Sequence, residues 1–285
     1  MPPLQADVEH PTRATLSCPA RSALAVALCL AAAAPCAARA LDRFEIQVYT
    51  ADVNEPGHFG LEAHLNYTPS GIRSPEHPGA VPPNGTGRLT LEPSYGVTDW
   101  LELGAYVQFL AAPGGQYRYG GNKLRTKFVV PEKTQREHGI PVFLGLNAEL
   151  SWVPTSVEQD AWATEFRPIV GWTDGRFLVS VNPIFGFTLT GPDRFRPDLE
   201  PCGKVAWNTQ HGFSVGVEYY AGLGSVLDGF SPWDEQAHLV LGVIDLVEAK
   251  GGEPSAWELN VGAGAGLTSA TGQHGIVKMI VGRSF

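Results

Sequence analysis

The stretch Gly275–Phe285, GIVKMIVGRSF, closes the chain with a regular alternation of residue types. Val277, Met279 and Val281 share one parity with the terminal Phe285, whereas Lys278 falls on the other parity. Successive side chains of a β-strand point to opposite faces, so the stretch predicts a strand with one apolar and one polar face. Other segments of the chain repeat this pattern.

An export signal is predicted at the other end of the chain. Residues 23–34, ALAVALCLAAAA, form an apolar run that follows Arg13 and Arg21 and precedes Ala38-Arg39-Ala40, a small-x-small cleavage site. A run this short cannot cross about 30 Å of hydrocarbon, which argues against a membrane anchor. We therefore expect residues 1–40 to be a signal peptide and leader, cleaved after about Ala40.

Composition excludes several kinds of site. Three of the four cysteines, Cys18, Cys29 and Cys36, fall in the leader, so the exported chain keeps only Cys202 and can form neither an internal disulfide nor a cysteine metal cluster. The net charge of −9 argues against a nucleic-acid partner.

Period-2 alternation recurs along the chain from His58 to Phe285. Counting these segments predicts about twelve strands, an even number as single-chain bacterial barrels require. Short turns alternate with long connectors, and counting back from Phe285 places every long one at the same end of the barrel. Tryptophans near strand ends fit the aromatic girdles of membrane barrels. The predicted long connectors are 69–85, 111–122, 153–161 and 221–235.

The fold class predicted from these patterns is all-β: a transmembrane antiparallel outer-membrane β-barrel of about twelve strands. A further strand-like segment, Phe44–Val53, is left over. We expect it to be an N-terminal extra strand or plug near the periplasmic mouth or inside the lumen. The predicted organisation is therefore a leader over 1–40, this segment over 41–57 and the barrel over 58–285. The predicted location is the cell outer membrane of a Gram-negative envelope.

Thirteen charged or ionisable residues share the polar parity of the predicted strands. A Lys or Arg facing lipid costs about 2–4 kcal/mol near the bilayer midplane, so this parity is expected to face the lumen. Two interpretations stay open: ion pairs that hold a narrow barrel together, which we favour, or charges that line a conduction path and set its selectivity. The lumen-lining candidates are Glu62, His64, Arg88, Glu92, Glu102, Glu149, Glu165, Arg167, Glu200, Lys204, Glu218, Glu258 and Lys278.

The sequence resembles one family of outer-membrane barrels. LDRFEIQVYTADVNEPGHFGLEAHLNY, LEPSYGVTDWLELGAY and LEPCGKVAWN are similar to segments of the family named for the phenol-degradation meta-pathway, whose members are also described as transporter-like. The resemblance implies a twelve-stranded barrel and passage of small, often aromatic or apolar compounds, but no site residues. Resemblance to outer-membrane barrels in general also implies that Phe285 is an assembly signal.

Two functions follow from these predictions. The first is a porin-like or transporter-like barrel for diffusion of small molecules; the alternative is a non-conducting structural, adhesion or docking barrel that uses loops such as 117–123 and 229–236. An enzyme is a distant third, because histidines and serines are scattered and no H-E-x-x-H motif occurs. We expect no catalytic residue, metal or cofactor. The expected partners are outer-membrane lipids, the barrel-assembly machinery and a small solute.

Overall fold

The computed structural model describes residues 41–246 and 257–285, in which nearly all regular structure is β-strand. No helix in these two ranges is long and apolar enough to cross a membrane. One short α-helix, α1, spans Glu132–Glu137, and two 3₁₀ turns span Trp233–Glu235 and Ser269–Thr271. The strands are β1 Phe59–Gly71, β2 Thr86–Thr98, β3 Leu101–Ala112, β4 Gln116–Val129, β5 Phe143–Trp152, β6 Trp162–Thr173, β7 Phe177–Asn182, β8 Phe185–Thr188, β9 Pro197–Leu199, β10 Cys202–Asn208, β11 Phe213–Gly222, β12 Gly224–Ser225, β13 Ala237–Leu246, β14 Trp257–Gly266 and β15 Gln273–Ser284.

Twelve antiparallel strands close into a barrel, as the sequence predicted. The ring runs from β1 through β7, continues with β10, β11, β13, β14 and β15, and returns to β1. The seam pairs the first and last strands, with Gly60 opposite Ser284 and Tyr67 opposite Val277. At the rim, Phe285 exchanges two backbone hydrogen bonds with Phe59, so the last residue is fixed beside the first strand. We call this end the Phe285 rim and the opposite end the far rim.

Three short strands, β8, β9 and β12, lie outside the ring of twelve. They extend the sheet from β6 in the order β8, β9 and β12. β8 pairs with β6 in the same register as β7, so β8 prolongs β7 after an interruption at Pro183 and Ile184. β9 likewise precedes β10 across Glu200 and Pro201. Proline has no backbone N–H to give to the ladder, which explains why the strands break at these points.

The two faces of most barrel strands differ as the alternation predicted. The outward face carries large apolar side chains, such as Leu103 and Val261, which are 45% and 43% exposed. The inward face carries polar side chains with almost no exposure, such as Thr90 and Asn147. An apolar exterior around a polar interior is the arrangement of a barrel that lies in lipid.

Tryptophans lie at the ends of this apolar band. Trp152 and Trp162 pair across β5 and β6, and Trp257 begins β14. Trp100 stands in the β2–β3 turn beside β3. Only Trp233, in a 3₁₀ turn of a far-rim loop, is not within two residues of a described strand. These positions agree with the predicted girdles.

Two predictions about connectors are wrong. The segment 111–122 is not a long loop, because β3 and β4 form a tight hairpin with only Pro113–Gly115 between them. The proposed docking loop 117–123 is therefore part of a strand. In addition, one long connector falls on the Phe285 rim: the segment 130–142, which contains α1.

Candidate functional site

The N-terminal segment 41–54 crosses the interior of the barrel, and we call it the plug. None of its residues forms a strand, yet Phe44, Glu45, Ile46 and Tyr49 are each less than 5% exposed. A segment without secondary structure is buried in this way only if its backbone N–H and C=O groups find hydrogen-bond partners. The plug therefore occupies the lumen, within the range of locations that the sequence predicted for it.

Side chains of the barrel wall bind the backbone of the plug. Oxygens of the plug accept hydrogen bonds at several levels from inward-facing donors, including the Lys278 ammonium at 2.7 Å from the Ile46 carbonyl. The Tyr49 N–H donates in return to Asn182 Oδ1 at 2.7 Å. Other barrel donors to plug carbonyls include Asn66 to Phe44, Arg167 to Gln47, Ser180 to Tyr49 and Lys127 to Asp52.

Charged side chains of the plug join the wall at one cluster, which we call the latch: Asp42 and Glu45 of the plug with Lys123, Glu149 and Arg167 of the barrel. The Lys123 Nζ lies 2.6 Å from Asp42, 3.2 Å from Glu45 and 2.9 Å from Glu149. Arg167 Nη1 lies 3.4 Å from Glu45. Burial raises the pKa of the Glu45 carboxyl, but the Lys123 and Arg167 charges outweigh it and hold that pKa below its ordinary value. The carboxylate is thus charged at neutral pH, and the latch is ionic.

A second cluster lies toward the Phe285 rim. The Arg125 Nη2 lies 2.8 Å from Glu92 and 2.7 Å from Glu102. His64 Nε2 lies 3.1 Å from Glu92 and 3.5 Å from Glu62. Glu62, His64 and Glu92 bring three potential metal ligands within 4.8 Å of one another. Glu92 is already paired with Arg125 and His64, so these contacts account for the group without a metal.

A third cluster lies on the other side of the lumen. Lys204 Nζ lies 2.6 Å from Asp245 and 3.3 Å from Glu218. Glu218 also accepts from the Lys278 ammonium. The Lys278 ammonium links this cluster to the plug.

The structure places most of the predicted lumen candidates in the interior. Nine of them are buried there: His64, Arg88, Glu92, Glu102, Glu149, Arg167, Lys204, Glu218 and Lys278. Glu62 and Glu165 are partly exposed beside His64 and Arg167. Glu258 lies at the Phe285-rim mouth, and Glu200 stands between β9 and β10. Whether these charges set selectivity stays a prediction.

Sequence reasoning missed the cations of β4. Lys123, Arg125 and Lys127 alternate along this strand and are all less than 8% exposed. The K-x-R-x-K spacing was the available signal, with Leu124 and Phe128 on the outward parity. The segment was divided instead between a predicted loop and a weak strand. The lumen therefore holds three more positive charges than the candidate set included.

Part of the lumen is apolar, which the sequence did not indicate. Buried apolar side chains of the barrel pack around Ile46 and Val48 of the plug. We call the following residues the apolar wall: Leu239, Leu241 and Val243 of β13 and Ile276 of β15. Cys202, the only cysteine among the described residues, is buried in the same cluster.

Two cavities flank the plug. The outer cavity, of about 80 Å³, is lined by Phe44, Arg88, Gln108 and Lys123 among others. The inner cavity, of about 470 Å³, opens at the Phe285 rim beside Glu62, Glu102 and Glu258. The plug contributes residues to both cavities and lies between them.

Comparisons with known proteins support the architecture. No protein-family model and no curated protein sequence matches the chain, so membership of the phenol-degradation family stays a prediction. Among solved structures, the chain is similar to an outer-membrane channel from Pseudomonas putida F1, with a TM-score of 0.51 and 13% identity over 85% of this chain and 100% of that one. It is also similar to the KdgM porin, with a TM-score of 0.50 and 10% identity over 79% of this chain and 99% of that one. The chain thus has the closed twelve-stranded fold of outer-membrane porin barrels.

Proposed function

We propose that this protein is an outer-membrane channel for small molecules whose lumen is closed by its own N-terminal plug. The observation that carries the proposal is the way the plug is held. Its contacts with the wall are hydrogen bonds, ion pairs and apolar packing, and it contributes residues to the cavities on both sides. Its described residues form no strand pairing with the wall, so the plug can leave the lumen without breaking the ring of strands.

The membrane location rests on the outer surface of the barrel. A ring of exposed Leu, Val and Phe side chains is stable in hydrocarbon, and closure of the ring leaves no unpaired strand edge there. With the export signal predicted over 1–40, which lies outside the described residues, this surface favours the bacterial outer membrane. Lipids and the barrel-assembly machinery, acting through Phe285, are then the natural partners.

The resemblance to the phenol-degradation family extends the proposal to the solute. The apolar wall offers Leu and Ile side chains to an aromatic or apolar part of a small molecule. The ion-paired clusters offer contacts to a polar part. We propose no catalytic role, since the carboxylates of the latch and of its neighbouring clusters are each paired with a lysine, arginine or histidine.

Single-channel recording in planar bilayers tests the channel with a matched pair of variants. Glu45→Gln removes one buried carboxylate of the latch, whereas Asp245→Asn removes one carboxylate of the third cluster, which pairs with Lys204 of the wall. Both changes cost one lysine contact, but only the first weakens the plug. We expect the unmodified protein to open rarely, Glu45→Gln to open at least tenfold more often, and Asp245→Asn to behave like the unmodified protein.

A specific observation favours the non-conducting alternative: the plug is buried and polar contacts hold it at several levels. If the unmodified protein and Glu45→Gln are both electrically silent while remaining folded, the channel proposal is wrong. A structural or docking barrel would then be the function, with the far-rim loops as its contact surface. Heat-modifiable migration on gels would establish that the silent protein is folded.

A further inference from the structure

A buried arginine in the outer cavity lacks a carboxylate partner. Arg88 points inward from β2 and is 7% exposed, but no carboxylate oxygen of the described residues lies within ion-pair distance of it. Its Nη1 has no hydrogen-bond partner in the described part of the chain. By contrast, Lys123 and Arg125 each meet at least two carboxylates. Burying a cation without a carboxylate partner costs free energy, and a ligand that supplies a carboxylate would offset this cost at Arg88.

A second unpartnered group lies beside it. Gln108 projects inward from β3, the strand paired with β2, and is 1% exposed. Neither its amide nitrogen nor its amide oxygen has a partner among the described residues. Thr90 pairs with Gln108 and Arg88 pairs with Leu110, so Arg88 and Gln108 are diagonal neighbours across the two strands. Both side chains line the outer cavity.

The same cavity has an apolar side. Phe44 of the plug, Val81 of the β1–β2 loop and Leu110 of β3 form one buried cluster, with Val157 packed against it. The Arg88 guanidinium lies over the Phe44 ring, 5.7 Å from its centroid. The volume of about 80 Å³ exceeds the roughly 10–15 Å³ that one water needs.

We propose that the outer cavity is a binding site for a short-chain organic monocarboxylate. The carboxylate accepts from the guanidinium of Arg88 and the amide N–H of Gln108, and the apolar part of the molecule packs on Phe44 and Leu110. Guanidinium binds carboxylate with two parallel hydrogen bonds, which matches the planar donor face that Arg88 leaves unused. The inference deepens the proposed channel function, on which it rests for the solute's entry into the lumen, by naming a solute class.

Three of the carboxylates that line this cavity are paired with cations other than Arg88. Glu149 and Asp42, which also line it, are held by Lys123 in the latch. Glu165 is held by Arg167. The unpartnered groups that face the cavity, Arg88 Nη1 and the Gln108 amide, include the donors that an anion needs.

Equilibrium binding to the purified full-length protein in detergent tests the site. Saturation-transfer NMR with butyrate as the probe should give a signal that 1-butanol and butylammonium at the same concentration do not give. Arg88→Gln should weaken butyrate binding at least tenfold, and Arg88→Lys should restore part of it. Lys204→Gln, which removes a buried cation elsewhere in the lumen, should leave it unchanged.

Other outcomes overturn the proposal. Equal binding of 1-butanol would mean that the cavity is only apolar, and preferred binding of butylammonium would mean that its carboxylates dominate. No binding of any probe to folded protein would mean that Arg88 and Gln108 are satisfied by water alone. Binding is measured without a bilayer, so it is independent of conductance. If the protein conducts but does not bind butyrate, the proposed site is wrong and the proposed channel is not. Absence of conductance would reject the channel but not the site.

Discussion

The two sides of the lumen hold the plug by different means. On the charged side, formed by the inward residues of β3 to β6, Lys123, Arg125 and Arg167 meet carboxylates at 2.6–3.4 Å. On the opposite side, the apolar wall packs against Ile46 and Val48. Successive side chains of an extended segment point in opposite directions, so one segment satisfies both sides at once. The lumen is therefore built around an occupant of alternating character, rather than as a uniform aqueous pore.

The largest expected effect comes from removing the central cation of the latch. Lys123→Met leaves the buried Glu45 and Glu149 and the half-buried Asp42 without their shared partner, and breaking a buried ion pair in this way costs about 3–5 kcal/mol. The plug should leave the lumen, which exposes Cys202, whose Sγ lies 4.0 Å from the Gln47 carbonyl oxygen. Labelling by a small thiol reagent, followed by peptide mass analysis of Cys202, measures this release.

Lys204→Met is the matched control for the latch. Lys204 is also a buried lysine between two carboxylates, but both belong to the wall. Its loss should lower the free energy of unfolding without accelerating Cys202 labelling. Equal labelling of the two variants would show that the charged side does not hold the plug specifically.

A somewhat smaller effect is expected on the apolar wall. Leu241 has no exposed surface, and Leu241→Ala should cost about 2–5 kcal/mol, because a cavity remains beside the plug. Leu146→Ala, on the outward face of β5, is the control, since lipid fills the space that it leaves. Urea unfolding of the refolded protein in bilayers gives the comparison. If the two variants lose equal stability, Leu241 does not pack in the interior as described.

The outward face of β13 tests the opposite environment, because it is expected to contact lipid rather than the plug. Gly242 points outward from β13, and a Cβ at this position would meet no atom within 4 Å. Gly242→Arg should cost about 2–4 kcal/mol because its charge enters hydrocarbon. Gly242→Leu has similar bulk and should be tolerated. Folding yield in lipid vesicles measures both, and equal yields would place this face away from the membrane.

The smallest effect concerns acid. Burial raises the pKa of Asp42, but Lys123 and hydrogen bonds from the Phe44 and Glu45 N–H groups outweigh it, so the pKa lies below its ordinary value, as does that of Glu45. Carboxylates with lowered pKa values stabilise the plugged state at neutral pH, and this stabilisation is lost as the pH falls through those values. Protonation of Asp42 and Glu45 should therefore raise single-channel opening below about pH 4. Unchanged opening between pH 5 and pH 3 would contradict this account of the latch.

Local alternation was enough to predict the barrel, because an apolar exterior and a polar interior impose period 2 on most strands. Alternation did not indicate which part of the interior is apolar, where the wall contacts the plug. β13 carries leucine and valine on both parities, because its inward face packs on Ile46 and Val48 rather than on water. No pattern within β13 distinguishes an inward leucine from an outward one.

The hairpin of β3 and β4 was missed for a related reason. Gly120 and Gly121 make the strand look like a loop, yet Gly120 is required by the plug, since a Cβ there would lie 2.8 Å from the Phe44 ring. The site depends on pairs far apart in the chain, such as Lys278 with Ile46. Contacts of this kind follow from the closed fold and leave no local signal.

The attachment of the plug makes the two ends of the lumen inequivalent. The plug is continuous with β1 at the Phe285 rim, where Ser284 donates to the Asn54 side chain, while Arg43 at its other end pairs with Glu76 in a far-rim loop. The covalent link to β1 at the Phe285 rim persists when every contact with the wall is lost, whereas the Arg43–Glu76 ion pair at the far rim does not. A plug released from the wall therefore stays tethered beside the seam where the first and last strands meet.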